Sequence, residues 1–109
     1  MSKDLAACTL IDHYGAMLTE HQRDIVTYYY FDDLSLAEIA ENEGITRQAV
    51  RDIIKRSLQQ LGDMEQKLGF IAKTESVSAA VSLIRKAAEN LSDSDSRNAI
   101  TALCDAVLD

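Results

Sequence analysis

Gly44, set between two differently capped helical patterns, constrains this 109-residue chain more than any other residue. The stretch around it, Ser35 to Arg56, reads SLAEIAENEGITRQAVRDIIKR. Ser35 and Glu38 have the spacing of a capping box, in which the serine oxygen accepts a backbone N–H and the carboxylate reaches back to another. Leu36, Ile39 and Ala40 then share one helical face. At Gly44 the chain must turn sharply, and a residue without a side chain enters the left-handed region at little cost. Ile45 plugs the turn, Thr46 is a favourable N-cap, and the next helix buries Val50 with Ile53 or Ile54. Ala40 is small where two crossing helices approach closely. The pattern predicts a helix-turn-helix.

The face left over gives the second helix its chemistry. With Ala49, Val50, Ile53 and Ile54 inward, Thr46, Arg47, Gln48, Arg51, Asp52, Lys55 and Arg56 point outward. In a helix-turn-helix the first residues of the second helix meet base edges, and cations further along meet phosphates. Arg47 suits a bidentate contact to guanine and Gln48 one to adenine. Arg51 and Lys55 continue that face one turn apart, and Arg56 is placed for backbone phosphate. Asp52 has two options: accepting from a cytosine amine, or pairing with Arg56 four residues on. The salt bridge is the expectation. Thr46, Arg47, Gln48, Arg51, Lys55 and Arg56 are therefore the candidate nucleic-acid-binding residues.

Charge weighs on the other side. The net charge is −7, from 11 Lys plus Arg against 18 Asp plus Glu. Residues 1–45 carry 2 cations and 9 acids, residues 46–73 carry 6 and 3, and residues 74–109 carry 3 and 6. A basic stripe on an acidic body permits local phosphate contact but weakens long-range attraction to a polyanion. Two function classes stay open: a nucleic-acid reader, and a protein-interaction adaptor that reuses the same scaffold without touching nucleic acid. The outward face of residues 46–56 is basic and polar rather than apolar, which favours the reader.

The remainder of the chain reads as helix. Hydrophobic residues make up 47% of it, with four glycines and no proline. A first helix is expected from about Lys3 to Met17, with Leu5, Cys8, Ile11, Asp12, Tyr14 and Leu18 supplying a face at three- and four-residue steps. Thr19 and Gln22 make a second capping box, and Ile25, Val26, Tyr29 and Tyr30 the buried face of a helix running out near Phe31. Phe31 or Leu34 is a candidate hydrophobic staple onto the following helix. The recognition helix looks long: Val50, Ile54, Ser57, Leu61, Met64, Leu68 and Ile71 alternate four- and three-residue steps, a narrow seam that wants a partner helix. Gly62 would permit a bend or close packing within it, and Gly69 is a place for it to end. A helix over Thr74 to Ala88, with Val77, Val81, Ile84 and Ala88 inward, precedes a loop and cap at NLSDSDS. A last helix carries Ile100, Leu103, Cys104, Val107 and Leu108. The expected architecture is all-α: a helix-turn-helix domain over 1–73 with a long final helix, and a C-terminal helical hairpin over 74–109 that folds back or mediates dimerisation. A homodimer through the long helix and the hairpin is expected.

Other chemistries lack their residues. Cys8 and Cys104 sit on apolar helical faces, as reduced buried thiols would. No apolar run is long enough to span a bilayer and no secretory leader is legible, so a cytoplasmic setting without membrane insertion is expected. His13 and His21 have no ligand neighbours at metal spacing. No nucleophile–base arrangement or glycine-rich phosphate loop appears, so neither catalysis, metal nor cofactor is expected. Tyr28, Tyr29, Tyr30 and Phe31 are consecutive on a helix and point in four directions, so they read as packing residues with one or two rings exposed rather than one stacking platform.

The run from Leu10 to Phe70 resembles the YlxM-like family of small bacterial helix-turn-helix proteins. The resemblance rests on DHYGAMLTEHQ, on Tyr28-Tyr29-x-x-Asp32-Asp33-x-Ser35-Leu36-x-Glu38-Ile39-Ala40, and on Arg47-Gln48-Ala49-Val50. Ile54-Lys55-Arg56, Glu65 and Lys67-Leu68 complete it. It implies a reader similar to region four of sigma factors and a cytosolic role in the signal recognition particle pathway. Implied partners are promoter-like DNA or the particle's small RNA, and the particle's GTPase or its receptor. Where the family usually has Tyr-Asp-Asn after Arg-Gln-Ala-Val, this chain has Arg51-Asp52-Ile53, so an aromatic contact at that position does not carry over.

Overall fold

The computed structural model describes residues 4–108, and every regular element among them is helical. Helix α1 spans Leu5–Tyr14, α2 Glu20–Tyr30, α3 Leu36–Glu43, α4 Arg47–Leu68, α5 Phe70–Glu89 and α6 Ser94–Leu108, with a single 3₁₀ turn at Gly15–Met17. The chain divides into two compact units, Met1–Gly69 and Phe70–Asp109. The division falls after Gly69, a few residues before the position the sequence suggests.

In the first unit α1, α2 and α3 each pack against α4. Ile25, Val26, Ile39, Val50 and Leu61 are completely buried. Burying side chains of this size stabilises the fold by about 1.5–3 kcal/mol each. The inward face of α1 differs from the expected one: Ala7, Ile11, Tyr14 and Leu18 are buried, Leu5 is 80% exposed, Cys8 is half-buried and Asp12 faces solvent. The helix stops at Tyr14 and tightens into the 3₁₀ turn, which carries Leu18 inward; Lys3, the expected start, lies outside the described residues. Across the core, the Tyr14 hydroxyl donates to Glu65 Oε1 at 2.6 Å, tying α1 to the C-terminal half of α4.

The α4 seam is filled from within the chain. Val50, Ile54, Ser57 and Leu61 are buried, and α1, α2 and α3 are the helices packed against α4. The seam then runs out: Met64 is half-buried, Leu68 is 70% exposed, and Ile71 belongs to α5. The expected partner helix for this seam is thus supplied intramolecularly. Gly69 adopts a left-handed conformation (φ 64°) and closes α4, its N–H donating to Glu65 O at 2.7 Å. Gly62 permits no close approach, since a Cβ there would meet nothing within 4 Å.

The second unit is a helical hairpin of α5 and α6. The α5 helix begins at Phe70 rather than Thr74 because Gly69 completes the break in one residue. Ile71, Val81, Ala88 and Cys104 are buried. Ile84 is not inward: it is 50% exposed, with Leu103 and Val107 more so. Arg85 of α5 pairs with Asp105 of α6. Asp93 caps α6, accepting from Asp95 N (3.1 Å) and from the Ser96 hydroxyl (2.7 Å), and these bonds hold its carboxyl below the ordinary aspartate range.

Candidate nucleic-acid interface

The turn that presents α4 is built from local hydrogen bonds. Ser35 Oγ accepts from Glu38 N and the Glu38 carboxylate accepts from Ser35 N, both at 3.0 Å, so α3 starts at a fixed place. It ends at Gly44, which is left-handed (φ 67°, ψ 32°) and whose N–H points to the carbonyls of Ala40 and Glu41. Ile45 N then bonds Ala40 O at 3.0 Å, and Thr46 Oγ1 accepts from Ala49 N at 3.0 Å to open α4. Thr46, the first of the candidate residues, thus already holds the N-terminus of α4 with its hydroxyl oxygen.

Arg47, Gln48, Arg51, Asp52, Lys55 and Arg56 are all exposed, while Ala49 and Ile53 are half-buried and Val50 and Ile54 buried. The exposed residues form two ridges, each stepping by four. Arg47, Arg51 and Lys55 make one, spanning about 12 Å at 1.5 Å per residue, and all three are cations. Gln48, Asp52 and Arg56 make the other, and it is largely occupied with itself. Gln48 Nε2 donates to Asp52 Oδ1 at 3.0 Å, and Arg56 Nε reaches the backbone carbonyl of Asp52 at 3.5 Å. This corrects the expected Asp52–Arg56 salt bridge: the carboxylate turns back one turn to the amide of Gln48. Position 52 has a polar partner four residues away on both sides, and the shorter glutamine reaches it with better geometry.

The cationic ridge borders a groove that the sequence pattern did not reveal. Tyr29, Tyr30 and Leu36, from α2 and the start of α3, face Arg51, Ile54, Lys55 and Leu58 of α4 across a cavity of about 360 Å³. Leu36 also sits beside Arg47, Gln48 and Arg51 at the ridge's N-terminal end. The Tyr29 and Tyr30 rings meet edge to face, centroids 5.0 Å apart and planes at 90°. Burial pushes the Tyr30 phenol above its ordinary value, with Tyr29, Asp4 and Cys8 adding to the shift. Both tyrosines, expected in the core, are only half-buried. Arg56 lies apart from this groove, beside His21, Gln22, Ile53 and Gln60. Among the described residues no group of three or more His, Cys, Asp or Glu could hold a metal ion, and no helix is long and apolar enough to cross a membrane.

Two capped helices joined through a left-handed glycine, the second presenting a basic, solvent-facing flank, define a helix-turn-helix protein. Residues 1–101 match the family model described as "UPF0122: Putative helix-turn-helix protein, YlxM / p13 like", and the chain belongs to that family. A UPF0122 protein of Symbiobacterium thermophilum is 40% identical over 94 residues, covering 86% of this chain and 88% of the relative. One of Shouchella clausii is 44% identical over 87 residues, 80% of either chain. One of Desulforamulus reducens is 52% identical over 64 residues, an alignment spanning 59% of this chain and 55% of that protein.

Proposed function

We propose that the chain is a non-enzymatic, cytoplasmic nucleic-acid-binding protein with a regulatory or accessory role, reading its target with the N-terminal half of α4. The observation that carries this reading is the ridge of Arg47, Arg51 and Lys55, exposed on a helix whose start is fixed by Thr46 and Gly44. Gln48 and Arg56 flank the ridge, Gln48 for base-edge contact and Arg56 for phosphate. Promoter-like duplex DNA and a small structured RNA both fit such a ridge. Association with the signal recognition particle, through its RNA, its GTPase or the GTPase's receptor, is supported by the family resemblance and makes that RNA the natural probe.

The test is fluorescence anisotropy with labelled duplex DNA and with the particle's RNA, across a salt series. Wild type should bind one of them with an affinity that falls as salt rises. Arg47→Ala/Arg51→Ala should abolish that salt-dependent binding. If folded protein binds neither polymer at low salt, the reader is wrong and the adaptor reading takes its place.

We also propose that the protein acts as a homodimer, now through the hairpin alone, because the α4 seam is already filled. The second unit leaves Leu83, Ile84, Leu103 and Val107 half or more exposed.

A further inference from the structure

The asymmetry of α4 points to a particular kind of nucleic acid. A helix laid straight into a major groove would press its outermost line of side chains against base edges. Here the second ridge holds Asp52, whose carboxylate is turned toward Gln48 and repels phosphates. Three cations, Arg47, Arg51 and Lys55, lie to one side, on the flank shared with the groove of Tyr29, Tyr30 and Leu36, and Arg56 alone stays on the other ridge. Positive charge and aromatic surface therefore converge on the groove, not on the crest of the helix.

We propose that this groove receives one unpaired base of a folded RNA, with the phosphates on either side of it held by Arg51 and Lys55. The inference rests on the nucleic-acid reading above and names its substrate class. Unpaired bases in loops and bulges are what proteins read in RNA, by stacking on aromatic rings and guanidinium planes, because the A-form major groove is too narrow to admit a helix. The two tyrosine rings stand at 90°, so they cannot support a run of stacked bases. They suit a single base, its face on one ring and its edge on the other. Leu36 and Leu58 supply apolar walls, and Arg51 and Lys55, one turn apart at the mouth, match consecutive phosphates in charge. Stacking of this kind contributes about 1–3 kcal/mol per base, a roughly 5- to 150-fold effect on affinity.

The experiment compares two RNA hairpins of equal length, each closed by a non-nucleotide linker in place of a loop, one with a fully paired stem and one whose stem carries a single bulged 2-aminopurine, bound to the full-length protein. The bulged hairpin is expected to bind at least fivefold more tightly, with 2-aminopurine emission quenched on binding. Tyr29→Ala should lower the bulged hairpin's affinity to that of wild type for the paired one. The quenching is read on wild type, so it stands even if Tyr29→Ala unfolds. Equal affinity for both hairpins without quenching overturns the groove and leaves the reader intact. Tight binding to duplex DNA alone does the same. Absence of binding to any probe overturns both.

Discussion

Two glycines in the first unit have opposite roles, and the backbone decides which. Gly44 holds φ at 67° where a side chain is strained, and a Cβ there would meet nothing within 4 Å. Its requirement is therefore conformational alone. Gly44→Ala is expected to destabilise the first unit by about 1–2 kcal/mol, the ordinary cost of a left-handed non-glycine residue. Gly62 sits in the helical interior of α4, again with nothing within 4 Å of the place a methyl would take. Gly62→Ala is expected to stabilise by up to about 1 kcal/mol, a rise of roughly 4–8 °C in melting temperature for a unit of this size. Thermal melts of the two variants should move in opposite directions. A loss of stability in Gly62→Ala would mean that this position uses backbone freedom that alanine lacks.

Ser57 poses a related question. It is completely buried at the seam of α4, and its hydroxyl has no hydrogen-bond partner among the described residues. A buried hydroxyl without a partner costs about 1–3 kcal/mol. Ser57→Ala removes that cost with almost no change in volume, so it should raise the denaturation midpoint with no change in m-value. A lower midpoint would show that the hydroxyl is bonded in solution.

At the scale of elements, what could be read from the sequence was what acts within one turn. The boxes at Thr19–Gln22 and Ser35–Glu38, the Thr46 cap and the left-handed Gly44 all act within one or two turns of their own position, and each forms as its spacing dictates. The α1 face slipped because its contacts use the small Ala7 rather than Leu5, and because the helix stops at Tyr14. Non-local pairings left no trace in the pattern. Tyr14 meets Glu65 across 51 positions, and the groove beside Arg51 needs α2, α3 and α4 assembled before it exists. The Tyr14–Glu65 bond gives that gap a measurable size. Tyr14→Phe keeps the buried ring and removes the bond to the carboxylate, so a loss of about 1.5–3 kcal/mol is expected in chemical denaturation. A change under about 0.5 kcal/mol would mean that water replaces the phenol without penalty. The cap of α6 responds to pH instead. Asp93 has its carboxyl depressed by Ser96 and Asp95, so its contribution is complete above the ordinary aspartate value and is lost as pH falls through the depressed one.

For the whole molecule, the question is what the hairpin does with its second apolar surface. On α5, Ala80, Leu83, Ile84 and Ala87 recur at helical spacing, and Leu83 and Ile84 are half or more exposed; on α6, Ala99, Leu103 and Ala106 recur likewise and all are exposed. Two helices have a single mutual interface, and Val81, Ala88 and Cys104 already occupy buried positions there or nearby. A remaining stripe on each helix is what a four-helix bundle of two hairpins would use, and small residues beside leucines allow close approach. The expected outcome is a dimer in sedimentation equilibrium at micromolar concentration. Leu83→Glu/Leu103→Glu should yield a monomer with nearly unchanged helix content, because neither side chain is buried within its own chain. The consequence for binding differs with the target. A two-fold dimer on duplex DNA requires half-sites about 34 Å apart and loses most of its affinity on becoming monomeric. A reader of one unpaired RNA base places no such demand on spacing, so the monomeric variant should retain its affinity for a single bulged hairpin. Sedimentation as a monomer in the wild type would remove the dimer, and the exposed stripes would then need a different partner.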